Sequence, residues 1–331
     1  MLHDSPSRVG PVILALRELG LHVRQIRCDQ IFICPMHLLF DPEKMILLSL
    51  ASPSAATRTT SETAQLESTL VQCAEASGVR VINGFSTYRL DHNKALQATV
   101  LTRAGISIPH SVLAKCNYRR LATISGVVHT PSLYDKPLTG GSGLGIRRIV
   151  PTKRSTLVTG VRLLQHGVEK VIKHSRDMRL FYRAEFVGNE LVYVARALVP
   201  IRTVTACPCN PSAFNMYHEV SDPATHFSSA TAWHKFVERV QTVFRAWKME
   251  LGSVEFTYVE ETEDSECDFV VFDLNANTTY HPDIEQTRRE AGKPTGISTM
   301  AAYVAKVAAH DYSEDEDGGF PSPQEEEGRA I

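Results

Sequence analysis

The chain has 331 residues, 43% of them hydrophobic and 22% charged, which suits two or three lobes better than one core. A formal net charge of −2 gives no electrostatic case for nucleic acid, and seven Cys at irregular spacing do not make a disulfide framework. No apolar run is long enough to span a bilayer and the N-terminus lacks a secretory pattern, so a cytoplasmic setting with reduced thiols is expected.

Residues 11–21 carry apolar side chains at helical spacing, with Pro11 suited to a first turn and Gly20 as the stop. Residues 22–26, 30–34 and 44–50 read as strands. Residues 52–63, rich in Ser, Thr and Ala, read as a loop or helix entry. An amphipathic helix from Ser61 through Ala76 is closed by Gly78 and followed by a strand at 79–82. Strand, helix and strand with short connections imply an α/β lobe with parallel strands. No GxGxxG opens a helix here, so a dinucleotide site is not argued.

After the turn at Asn83-Gly84, a helix runs from about Ser86 into the nineties, with Leu96, Val100 and Leu101 as its stripe, and stops near Gly105. The Pro109-containing segment 106–113 is edge-like, 117–125 reads as a helix, and 127–136 holds a strand. That strand enters Lys136-Pro137-Leu138-Thr139-Gly140-Gly141-Ser142-Gly143-Leu144-Gly145, with four glycines in six residues. Glycine lets backbone N–H groups approach a phosphate, and the lysine can add a point charge. The β-branched run 146–150 reads as another strand, whereas Rossmann and Walker A loops enter a helix. Strand, glycine loop and strand describe a flap that can fold over a nucleotide; the bland alternative is a plain hairpin turn.

Beyond the flap, 155–165 reads as a helix and 168–173 as a strand. Segments 177–186 and 191–199 make a hairpin turned by Gly188-Asn189. Segment 203–217 is irregular, and Cys207-Pro208-Cys209 lacks a second pair at zinc spacing. A long amphipathic helix spans 230–250. Strands at 253–259 and 269–274 flank an acidic loop, a last helix spans 295–310, and 313–331 reads as a disordered acidic tail.

Three groups could carry chemistry beside the flap. Lys94 sits near a helix start in Asp91-His92-Asn93-Lys94; the bland alternative is a solvated lysine. Arg179, in Asp177-Met178-Arg179, and Arg196 on the paired strand could hold a carboxylate or phosphate in a fork, or form exposed ion pairs worth little. Asp273 and Asn275 are two apart and share a strand face, and Glu255 on the neighbouring strand adds oxygen. Such a set suits Mg2+, which shares its shell with water and phosphate; the alternative is a polar outer face. Tyr280-His281-Pro282-Asp283 could line a substrate site or form a simple turn. There is no HExxH and no Gly-x-Ser-x-Gly elbow.

In this order, over about Val79 to Gln286, the pieces resemble the ATP-grasp superfamily, nearest to RimK-type and glutathione-synthetase-like carboxylate–amine ligases. The resemblance rests on Asp91 to Lys94, Ala104 to Pro109, Lys136-Pro137 with Gly140 to Gly145, Asp177-Met178-Arg179, Glu255, and Asp273-Leu274-Asn275-Ala276. It implies an ATP-grasp α/β (α+β) fold: an N-terminal Rossmann-like lobe over 1–84, a first grasp subdomain with the flap over 85–166, and a second with the metal site over 167–312. Lys94 and Lys136 would contact ATP phosphates, with Gly140, Gly141, Ser142, Gly143 and Gly145 covering them. Glu169, Lys170, Val171 and Ile172 would form the linker beside adenine. Glu255, Asp273 and Asn275 would hold one or two Mg2+, with Mn2+ as the substitute, and Arg179 and Arg196 would orient the acyl substrate or phosphoryl group.

The implied reaction is ATP-dependent joining of a small-molecule carboxylate to an amine or thiol, with no nucleic acid or membrane partner and homo-oligomerisation left open. The alternatives are phosphorylation of a hydroxyl and ATP binding without turnover, as in synapsin-like members. Two departures stand out. Glu169-Lys170-Val171 replaces the usual Gln-Glu-aromatic linker, and Asp273 replaces the commoner Glu.

Overall fold

The computed structural model describes residues 1–3, 6–28, 39–43, 45–50, 61–116, 133–140, 145–149, 160–167, 173–175, 178–200, 216–227, 229–259, 268–276 and 280–313. The segments read from sequence as a strand at 30–34, a helix at 117–125 and an acidic tail lie wholly or almost wholly outside them.

The first lobe is built from β1 (Leu2–His3), α1 (Pro6–Glu18), β2 (Ile26–Arg27), β3 (Ile46–Leu48), α2 (Ser61–Ala76) and β4 (Arg80–Ile82). Strands β1 and β2 pair in parallel, as do β3 and β4, and a parallel bridge from Leu2 to Ser49 joins the two pairs. Leu2, Leu47, Leu70, Val71 and Ala74 are buried between this sheet and α2. Helix α1 begins earlier than expected. Pro6 starts it and Pro11 lies inside, while Gly20, at φ 81°, follows its end. Only the last expected residue of 22–26 is strand.

Helices α3 (Phe85–Asp91) and α4 (Lys94–Arg103) follow, separated at His92-Asn93. The sequence suggested one helix. Asn93 interrupts it by capping α4, its side-chain oxygen accepting the Leu96 N–H at 3.0 Å. A four-stranded antiparallel sheet comes next, in the order β5 (Ser111–Cys116), β8 (Gly160–His166), β6 (Leu133–Pro137), β7 (Arg147–Ile149). Strand β5 is an edge, as Pro109 suggested. Strands β6 and β7 pair antiparallel from Leu133–Ile149 to Asp135–Arg147, so the glycine loop connects two strands of one hairpin.

The expected helix at 155–165 is corrected: its described part is β8. Leu163 and Leu164 are buried, and β8 is paired on both sides, by β5 and by β6. Cross-strand pairing overrides the helical spacing of its leucines and valines.

The larger sheet runs β12 (Met216–Glu219), β11 (Glu190–Pro200), β10 (Met178–Val187), β13 (Leu251–Val259), β14 (Asp268–Asn275), with β9 (Lys173–Ser175) also on β10. Gly188 and Asn189, at φ 58° and 68°, make the left-handed two-residue turn between β10 and β11. The short α5 (Pro223–His226) leads to α6 (Ala230–Ala246), which lays Trp233, Phe236, Val240, Val243 and Phe244 on one face. With Tyr182, Phe186, Val254 and Phe256 they form the largest apolar cluster. Each such side chain contributes about 1.5–3 kcal/mol when fully buried. Helix α1, α7 (Pro282–Glu290) and α8 (Gly296–Ser313) cover part of the opposite face. Helix α7 was not foreseen; Pro282 sits in its first turn. No described helix is long and apolar enough to cross a membrane.

Candidate functional site

The register of the large sheet sorts its side chains between two faces. Tyr182, Val254 and Phe256 point toward α6. Arg183 pairs with Glu255, and Glu255 with Asp273, so these three form one cross-strand row on the other face. The next row runs Tyr193, Glu185, Ser253, Asn275. A bulge after Glu255 leaves Phe272 unmatched between Asp273 and Val271. Asp273 and Asn275 stay on the face shared with Glu255, and the Asn275 amide lies 3.5 Å from Glu255 Oε1.

Lys94, the first residue of α4, places its ammonium on Asp273 as an ion pair. Burial works to lower the Lys94 pKa, but Asp273 and Asp91 outweigh it and the net direction is upward. Lys136, on β6 opposite Leu163, comes from the small sheet. Burial pushes its amine down to about 8, with Asp273 and Glu255 pulling upward and Lys94 downward. Among the described residues no carboxylate forms an ion pair with Lys136. Both lysines line one narrow cleft between the two sheets, with Gln97, Leu101, Ile108 and Leu163.

The flap is anchored to the same place. Lys94 N–H donates to Leu138 O at 3.0 Å, and Thr139 Oγ1 donates to His92 O at 3.0 Å. Arg162 donates from Nε to Asp135 Oδ1 at 2.5 Å and from Nη2 to Gly145 O at 2.8 Å, pinning the loop's far end. Gly140 and Gly145 have φ of 143° and 74°, values that favour glycine. Gly141, Ser142, Gly143 and the linker residues Glu169, Lys170, Val171 and Ile172 lie outside the described residues.

The two arginines of the sequence reading lie on the paired strands β10 and β11. Arg179 pairs through its backbone with Val199; its side chain is outside the described residues. Arg196 pairs with Tyr182, so it projects from the α6 face, opposite Glu255. There it lies near His226, whose pKa is lowered by burial and by Arg196.

Three residues outside the expected set stand out. Arg183 donates to Glu185 at 2.6 Å and to Glu255 at 2.9 Å, tying the carboxylate row to a glutamate only 2% exposed. Its place two residues before Glu185 on a predicted strand was the available signal. Asp91 is also 2% exposed, and its carboxyl pKa is shifted. Burial raises it to about 7, with Lys94 opposing, Asp273 reinforcing, and the Ala276 amide and Arg183 opposing. Asn83 gives Nδ2 to Leu251 O and Ala276 O and takes the N–H groups of Glu250 and Leu251 on Oδ1. It fastens the first lobe to the strands that carry the carboxylates.

No cluster of three or more His, Cys, Asp or Glu among the described residues could enclose a metal ion by itself. Two carboxylates and one amide on adjacent strands suit a hard cation that completes its shell with water and phosphate. Two lysines at the same cleft suit those phosphates. The residues present therefore fit Mg2+ and a nucleotide together better than a closed metal cage.

No protein-family model matches the chain, and no curated protein matches its sequence. Solved structures do match. The ATP-grasp ligase PsnB, complexed with a phosphomimetic variant of a minimal precursor, Mg and ADP, aligns with a TM-score of 0.58 at 13% identity, covering 92% of this chain and 97% of that one. A RimK-domain ATP-grasp protein from Sphaerobacter thermophilus gives 0.56 at 15%, covering 92% and 98%. D-alanine–D-alanine ligase from Bacillus anthracis gives 0.59 at 11%, covering 95% and 98%. Near-complete coverage on both sides, together with a glycine flap hairpin facing a carboxylate-bearing antiparallel sheet, shows that this chain has the fold of the ATP-grasp superfamily.

Proposed function

We propose that the chain is an ATP- and Mg2+-dependent ligase that joins a carboxylate to an amine through an acyl phosphate. The observation that carries this reading is that Lys94 and Lys136, from α4 and β6, line one cleft, and that Lys94 pairs with Asp273, which stands opposite Glu255 and two residues before Asn275 on the neighbouring strands. The reading divides the chain into a first lobe at 1–84 and grasp subdomains at 85–166 and 167–312. Mg2+, when bound, would neutralise phosphate oxygens, with Glu255, Asp273 and Asn275 as its protein donors.

The chain's own residues supply placement and charge. Lys94 and Lys136 offset the negative charge that spreads over the transferred phosphoryl oxygens. The 140–145 flap closes above them and excludes the water that would hydrolyse an acyl phosphate. Arg183 holds Glu255 in the row facing Asp273. A substrate carboxylate oxygen attacks the γ-phosphorus, ADP leaves, the amine attacks the acyl carbon, and phosphate departs. Support comes from the ligases that share the fold, one of them crystallised with Mg and ADP.

The test is ADP release by the full chain across paired panels of small carboxylic acids, amino acids and short peptides. Wild type should release ADP with a matching acid–amine pair, and Asp273→Ala should reduce the rate by roughly a hundredfold or more. A wild type that neither binds Mg-ATP nor releases ADP with any pair would sink the reading. Thermal shift is the quick first step, since Mg-ATP at about a hundred times its Kd should add roughly 2.7 kcal/mol.

A further inference from the structure

Beside the carboxylate row lies a second row that the ligase mechanism leaves unused. It runs Tyr193, Glu185, Ser253, Asn275 across β11, β10, β13 and β14, on the face that carries Glu255 and Asp273. Tyr280 joins it from the segment just before α7, its ring centroid 6.4 Å from that of Tyr193.

The charged groups around these side chains are committed. Arg183 donates to Glu185 and to Glu255. Glu285 accepts the N–H groups of Gly296 and Ile297 at 2.8 and 3.1 Å, at the start of α8. Arg288 donates to Glu219 and to Pro294 O, both at 2.6 Å. The hydroxyls are not committed. Tyr193, Ser253 and Tyr280 are 4%, 0% and 7% exposed, and none of their hydroxyls has a hydrogen-bond partner among the described residues. Both rings are nevertheless held. The Arg288 guanidinium lies 5.2 Å from the centre of the Tyr193 ring, and Tyr280 packs on Gly296 so closely that a Cβ there would have no room. Buried hydroxyls without partners are uncommon and destabilising. Three of them, held rigid beside a buried carboxylate, describe a prepared polar site. Its surroundings favour a cation: burial, then Glu185 and Glu285, push both phenol pKa values up, with Arg183 opposing.

Resting on the ligase reading, we propose that Tyr193, Ser253 and Tyr280, with Glu185, bind the amine co-substrate through its primary ammonium group. An ammonium offers three N–H donors to three hydroxyl oxygens and a positive charge to Glu185. A thiol offers one weak donor and no charge, so the subsite discriminates an amine acceptor from a thiol. The ammonium passes one proton to water before its nitrogen attacks, and the neutral amine keeps two donors on the oxygens. The row ends at Asn275, which sets this subsite beside the proposed cation donors.

Tyr193→Phe, Tyr280→Phe and Ser253→Ala each delete one hydroxyl and keep most of the apolar body. In thermal melts of the full chain each should unfold at or above the wild-type temperature, since no internal hydrogen bond is lost. Melting lowered by more than about 3 °C in all three assigns the hydroxyls to the fold and overturns the proposal. Binding is read without nucleotide, by saturation-transfer NMR of n-propylammonium, ethanolammonium and glycinamide against n-propanol and n-propanethiol. Wild type should saturate with at least one of the amines, and the triple variant should bind it at least about tenfold more weakly. A wild type that binds none of the amines, a triple variant that binds as well as wild type, or an alcohol or thiol that binds equally overturns the proposal.

ADP release then separates the subsite from the parent reading. With a productive acid–amine pair, each single variant should raise the amine KM about tenfold and leave the acid KM within about twofold of wild type. Equal rises for both substrates overturn the subsite. Wild type that releases no ADP with any pair ends the ligase reading, and the NMR arms alone then decide whether the site takes an ammonium.

Discussion

Replacing Asn83 tests whether the carboxylate strands are held in place from the first lobe. Asn83 is 3% exposed and uses both amide hydrogens and its carbonyl oxygen twice. The four partner groups belong to Glu250, Leu251 and Ala276, the last being the residue after Asn275. Asn83→Ala strips all four. Each orphaned buried group costs about 1–3 kcal/mol, and incomplete burial brings the sum to roughly 4 kcal/mol. Asn83 also sits at φ 57°, where a Cβ without a local hydrogen bond adds about 1 kcal/mol. Asn83→Ala should therefore cost roughly 5 kcal/mol, a large share of a typical stability of about 5–15 kcal/mol. Asn83→Gly loses the same hydrogen bonds but tolerates the backbone, so it should be about 1 kcal/mol more stable than Asn83→Ala. Urea unfolding of both, followed by tryptophan fluorescence, measures each term. A cost for Asn83→Ala below about 1 kcal/mol, or a glycine variant no better than the alanine one, would refute the reasoning.

Two further predictions concern charge. Lys136 has its pKa lowered from 10.5 to about 8, so the folded chain releases this proton before the unfolded chain does. Lys136 therefore makes stability rise as pH climbs from about 8 toward about 10.5, and Lys136→Met should remove that slope. Phosphate binding restores the charge, so ATP titrations near pH 9 in two buffers of different ionisation heat should show uptake of about one proton, absent in Lys136→Met. The two strand arginines should separate cleanly. Arg183→Ala leaves buried Glu185 without its guanidinium and should cost roughly 3–5 kcal/mol by denaturant unfolding. Arg196→Ala, on the opposite face, should keep ADP release within about twofold of wild type.

Local signals in the sequence were legible where one element decides its own shape. The glycine loop between β-branched runs, the Gly188-Asn189 turn and the apolar stripe of α6 all depend on neighbours in the chain. So does the placing of Glu255 and Asp273 on neighbouring strands, given two strands and a short connection. What sequence did not give was register and distant partnership. The face of Arg196 depends on how β11 slides along β10, and a one-residue slip reverses it. Strand β8 resembled a helix because its pairing partners begin near residues 111 and 133. Asn83 looked like an ordinary turn residue, since the backbone groups it satisfies lie 167 or more positions away. Asp91 was quoted beside Lys94, but only the fold reveals that it is buried.

On the proposed function, the two sheets divide the site's charge so that neither acts alone. The large sheet holds carboxylates in a row with Arg183, and left to itself it would repel a polyphosphate. The small sheet brings Lys136 and the flap, whose cation has no described carboxylate of its own. Helix α4 stands between them: Lys94 reaches Asp273 with its side chain and Leu138 with its backbone N–H. A movement of the small sheet toward the carboxylates therefore passes through the residue whose charge the phosphates also need. That coupling is direct, because one residue is both the hydrogen-bond anchor of the flap strand and the counter-ion of Asp273. Severing it at the side chain with Lys94→Met should weaken nucleotide binding while leaving the Leu138 hydrogen bond, and hence the flap's attachment, in place.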